Sequence, residues 1–164
     1  MTTTRRVPDP TMMARLQLSV KGVDWAASLM APFQHEEIDG EWSAHRHVFH
    51  LLGNERVFQE RIRLAMEQDG AVFERWDSQR HAENPYQKGS DIELLAEEFV
   101  AARTETFELF KALTPEQWSR TFTWPDGRVY DMAWFGEKVL WHALDHFATL
   151  LDMHGHFAPL QASG

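Results

Sequence analysis

Between Ser90 and Leu113 the apolar residues recur at every third or fourth position. Ile92, Leu95, Phe99, Ala102, Thr106, Leu109 and Leu113 form one seam at heptad spacing. That period suits a helix with one buried face and rules out a half-buried strand, whose side chains alternate every second residue. Ser90 and Glu93 predict a capping box at its start.

The same period recurs three more times. Asp9-Pro10 opens a first helix, with Leu16, Val20, Val23, Ala27 and Met30 on one side and Pro32 at its end. Gly22 weakens this stretch slightly. Ser43 is the expected N-cap of a second helix that runs to about Gln68 and stops at Asp69-Gly70. A fourth helix begins near Asp131, buries Met132, Phe135, Val139, Ala143, Phe147 and Leu150, and is expected to stop near Met153 to Gly155.

Thr114-Pro115-Glu116-Gln117 predicts a short capped turn, and Trp124-Pro125-Asp126-Gly127 a tight turn. Residues 71–89 have no clean period and read as a long crossover, with a helical turn around Phe73 to Trp76. Strand-like alternation is scarce and there is no internal repeat. The expectation is an all-α, four-helix bundle with long crossover connections over residues 10–157, between tails at 1–9 and 158–164.

Composition narrows the chemistry. The 164 residues carry a formal net charge of −9 and no long basic run, which argues against nucleic acid and anionic membrane surfaces as partners. With no cysteine there is no disulfide and no thiol nucleophile on the chain. No apolar stretch approaches a membrane span and no apolar leader opens the chain, so the expected location is the cytoplasm.

Nine histidines are many for this length. His142 and His146 are four apart on the fourth helix, His146 inside the apolar arc and His142 at its border. That spacing stacks two imidazoles on one side of a helix, where they can share one metal ion; it also suits two hydrogen-bonded core histidines. The second helix offers a third imidazole in the run His45 to His50. By its helical wheel His47 and His50 flank the apolar face equally well, and His45 points away, toward solvent. Glu55 projects into the apolar arc. A carboxylate there needs a partner, either an Arg of a neighbouring helix or a functional group.

These residues resemble the DinB/YfiT-like superfamily of metal-binding four-helix bundles. Trp42-Ser43, Val48-Phe49, His50 and Glu55 follow the order of that family's second helix. His142 and His146 match its His-x-x-x-His pair, and the 92–113 helix, with Arg103 inside it, is similar to its third. The resemblance covers residues 10–155. It implies that His50, rather than His47, joins His142 and His146 around one divalent ion, usually zinc or nickel. It also implies a small-molecule substrate, a tendency to homodimers and several activities. These include transfer of low-molecular-weight thiols such as bacillithiol or mycothiol, and maleylpyruvate isomerisation.

Three neutral ligands leave a tetrahedral ion one position short and its charge undiminished, so it should lower the pKa of a bound water or thiol. Because the chain has no thiol of its own, the leading expectation is a thiol co-substrate aimed at an electrophile. Hydrolysis and metal or ligand binding without turnover are the alternatives. Glu55 is a candidate for a place behind the ligands or for proton acceptor; the catalytic and cofactor-binding residues are otherwise open.

Overall fold

A computed structural model describes residues 10–75 and 85–158. Four long helices build the molecule: α1 (Pro10–Met30), α2 (Ala44–Glu67), α3 (Ile92–Ala112) and, last in the chain, α5 (Met132–Phe157). Between them lie a 3-10 turn (Ala31–Phe33), β1 (Ala71–Val72), the short α4 (Pro115–Trp118), β2 (Thr121–Thr123) and β3 (Val129–Asp131).

Contacts across the bundle give its topology. Arg56 meets Glu98, and Gln59 donates to the carbonyl of Ala102, so α2 and α3 advance together, in parallel. A Cβ on Gly136 would lie 2.9 Å from Met12, and one on Gly22 would lie 3.2 Å from the Phe147 ring. The helices α1 and α5 are therefore parallel as well, and the apparent weakness at Gly22 is the room that ring needs. His47 meets His146 while His50 meets His142, so α2 and α5 run antiparallel. Each of α1 and α2 packs chiefly on α3 and α5. Two parallel neighbours joined in sequence need a return path along the bundle, which is why the stretch between α2 and α3 is long.

The helix starts follow local chemistry. Ser43 accepts from the Arg46 N–H, Asp131 from the Trp134 N–H, and Thr114 and Gln117 close a full capping box. At α3 the expected box is replaced. The N-cap is Asp91, whose carboxylate accepts from the Glu93 N–H at 2.8 Å, an anion being favoured at a helix N-terminus. Helix α5 passes through Gly155 to Phe157, held by the stacking of Phe157 on Phe33 at 5.6 Å.

Along α3 the seam drifts, because an α-helix repeats every 3.6 residues rather than 3.5. Past Phe99 it buries Arg103, Thr106 and Phe110 and leaves Ala102 and Leu109 only half-buried.

The bundle also carries a three-stranded sheet that the sparse alternation did not announce. Strand β1 pairs in parallel with β2, and β2 pairs antiparallel with β3 across the expected 124–127 turn. Phe73 continues the extended path by donating to Thr123, so there is no helical turn at 73–75; Trp76 lies outside the described residues. Strands of two or three residues are too short for a period-2 pattern to emerge.

The core has two apolar clusters. One is centred on Val23, Val48, Phe99 and Leu150; the other on Leu16, Ile62, Phe110, Phe122 and Phe135. Between them sits a polar layer. Glu55 accepts from Arg103 Nε at 2.7 Å and from Nη2 at 2.9 Å, and Arg103 also reaches Ser19 at 3.3 Å and the Val139 carbonyl at 3.5 Å. One bidentate pair thus ties all four long helices together.

Candidate metal centre

One turn from that layer, α2 and α5 bring their histidines face to face. His50 Nε2 lies 3.2 Å from His142 Nε2, and the rings of His142 and His146 are 4.8 Å apart. One ring nitrogen from each of His50, His142 and His146 falls within 4.8 Å of the others, close enough to hold one metal ion. The i,i+4 pair supplies two of them from one face of α5, and the antiparallel crossing of α2 supplies the third.

His47, which the helical wheel left level with His50, stands behind this group. Its Nδ1 lies 2.8 Å from Nδ1 of His146, so one of the two rings must donate and the other accept. Trp42 closes the site from the start of α2, its ring 5.0 Å from that of His50 and 5.5 Å from that of His47. Phe58 meets His142 edge-on at 5.7 Å.

Electrostatics disfavour the charged forms of His142, His47 and His146. Burial pushes His142 down to about 3, helped by neighbouring His146 and His50 and by the cations Lys138 and Arg103. Burial and then His146 and Arg46 bring His47 down to about 4, and burial lowers His146 against a small opposing effect of Asp145. Neutral rings keep the lone pairs that a metal needs.

One expectation changes here, and one of the two readings of Glu55 is met. His45 does not face solvent. It is fully buried, because the chain returning to α3 folds over it: its Nδ1 lies 2.8 Å from the Tyr86 hydroxyl and its Nε2 meets the Ser90 carbonyl. That contact joins residues 41 and 45 positions apart in sequence, beyond the reach of any local pattern. Glu55, in turn, has both carboxylate oxygens on Arg103. Nδ1 of His142 is buried with no hydrogen-bond partner among the described residues, so Glu55 does not stand behind that ring.

Sequence reasoning passed over Asn54 entirely. Its side-chain nitrogen lies 2.7 Å from His50 Nε2 and 3.3 Å from His142 Nε2. The signal was available: Asn54 is one turn beyond His50 on the same face of α2.

A family model of the DinB superfamily matches residues 17–150. The chain belongs to the DinB superfamily. Its fold is similar to that of YfiT from Bacillus subtilis, with a TM-score of 0.80 at 18% identity over 96% of this chain and 94% of that one. YfiT is described as a "probable metal-dependent hydrolase with an unusual four-helix bundle topology". A DinB-like protein from the same organism, YjoA, aligns with a TM-score of 0.64 at 13% identity, covering 90% and 92% of the two chains. No curated protein matches the sequence. Among the described residues, no helix is long and apolar enough to cross a membrane.

The residues fit the divalent ion that the superfamily implies. Two Nε2 atoms 3.2 Å apart cannot both carry a proton, so at least one lone pair points into the gap between them. The Asn54 NH2 group, a partial positive charge, already stands against both. A borderline divalent cation suits a set of imidazole nitrogens.

Proposed function

We propose that this protein is a divalent-metal-dependent enzyme that directs a low-molecular-weight thiol, of the bacillithiol or mycothiol type, at an electrophilic small molecule. The observation that carries the reading is three converging imidazoles, with the one carboxylate buried nearby, Glu55, held by Arg103 among the described residues. His50, His142 and His146 would hold the ion, zinc or nickel, whose Lewis acidity lowers the pKa of a nucleophile bound to it.

The engagement of Glu55 is what favours a thiol over water. The carboxylate nearest in sequence to His50, Glu55, has both oxygens engaged by Arg103. A thiol, with a free pKa of about 8.5 against about 15.7 for water, needs far less help to ionise. Its proton passes to solvent, the sulfur lone pair forms the new bond to carbon, and the displaced group leaves with the bonding pair. His47 fixes the orientation of His146 through its 2.8 Å contact, and Trp42 shields the rings from bulk water.

Hydrolysis is the second reading, favoured by the description of YfiT. Incubating the metal-loaded protein and a reactive electrophile with bacillithiol, mycothiol, glutathione and coenzyme A in parallel separates the two. Conjugation with one thiol is expected. Ester or amide cleavage without thiol supports hydrolysis, and neither reaction leaves a binding protein. We also propose a homodimer, on the strength of Trp25 and Trp141, which are 57% and 59% exposed. A clean monomer mass by sedimentation equilibrium at micromolar protein would end that idea.

A further inference from the structure

We infer that Asn54 is a fourth ligand of the metal centre, presenting its carbonyl oxygen to the ion. The inference rests on the metal-binding reading above and deepens it. Asn54 is 8% exposed, and every hydrogen bond of its amide among the described residues goes to His50 or His142. The NH2 group has two protons and faces two ring nitrogens that point at one another across 3.2 Å.

In the metal-free chain, this amide stands beside the two Nε2 atoms whose lone pairs an ion would take, 2.7 Å from that of His50 and 3.3 Å from that of His142. An ion taking those lone pairs would meet the positive edge of the NH2 group. Rotation by 180° about the bond to the carboxamide carbon exchanges nitrogen for oxygen in an almost identical outline. The oxygen then faces the ion from where the nitrogen stood, and oxygen donors suit divalent cations. Three imidazoles and one amide are all neutral, so the ion keeps its full charge. A substrate or thiol would enter as a fifth ligand, a coordination number that zinc sites reach during catalysis.

Cobalt(II) serves as the probe, because its visible absorption reports both binding and the number and kind of ligands. Titrate the metal-stripped full chain and the variants Asn54→Ala, Asn54→Leu and Asn54→Asp with cobalt chloride, and follow helix content and thermal midpoint by circular dichroism without metal. Asn54→Ala and Asn54→Leu should weaken binding about ten- to a hundredfold and change the band intensities. Asn54→Asp, which keeps an oxygen in place, should bind at least as tightly as the wild type. Wild-type affinity and spectrum in a folded Asn54→Ala protein would overturn the inference. Equal losses in Asn54→Asp and Asn54→Ala would also overturn it, since they would mean that the NH2 group was needed. A wild type that binds no cobalt at all would remove the metal-binding reading and this inference together.

Discussion

Two polar clusters lie one turn apart on α2, and they are built on opposite principles. In the Glu55–Arg103 layer each charge meets its counterpart in bidentate geometry, and both side chains are at most 2% exposed. In the histidine cluster, rings that are each donor and acceptor crowd one another, and His142 Nδ1 has no partner among the described residues. The first group is electrostatically closed. The second stays open at His142 Nδ1. The same helix thus carries a structural clamp and a candidate metal site, told apart by whether their hydrogen bonding closes.

Breaking the clamp should have the largest effect. Arg103→Ala leaves Glu55 buried and unpaired, and should cost about 3–5 kcal/mol of unfolding free energy in urea titration. Replacing both partners by apolar residues, Glu55→Leu with Arg103→Met, should recover most of that loss. A single and a double variant of equal stability would show that the layer is not a closed unit.

The histidine cluster should behave the other way. Its single replacements should cost little in metal-free protein, since both apolar clusters are complete without an ion. Chelated protein should keep a cooperative thermal transition by circular dichroism. Metal at a hundred times its dissociation constant should add about 2.7 kcal/mol, or roughly 5–10 °C in midpoint. Elemental analysis should find about one ion per chain in the wild type and in His47→Ala, and none in His50→Ala, His142→Ala or His146→Ala. Loss of helix on chelation at room temperature would make the ion structural.

A pH titration also separates the clusters. The folded chain holds His142 near 3 and His47 near 4, below the imidazole value of about 6.5 expected in the unfolded chain. The unfolded state therefore binds more protons in this range, and metal-free protein should lose stability as pH falls from about 6.5 toward 4. At neutral pH and above the contribution is fully present. Replacing His142 by Phe should flatten that slope in denaturant titrations across the range, while an unchanged slope would refute the neutral-ring description.

Much of the bundle was legible from spacing and capping residues because helices obey local rules. The apolar seam of α1, the Ser43 and Thr114 caps, the start of α5 near Asp131 and the 124–127 turn all depend on residues within a few positions of one another. The His142/His146 pair was visible for the same reason.

Tertiary structure decided what depended on distant partners. It grouped His50 with both imidazoles of α5, gave Glu55 its arginine, buried His45 under Tyr86, and set Asn54 against two rings. A helical wheel assigns each side chain a direction, but burial depends on what arrives there. Residues 47 and 50 are almost equivalent in direction, so the sequence leaves the choice between them open. At the antiparallel crossing of α2 and α5, His50 comes within reach of both imidazoles of α5, while His47 meets His146.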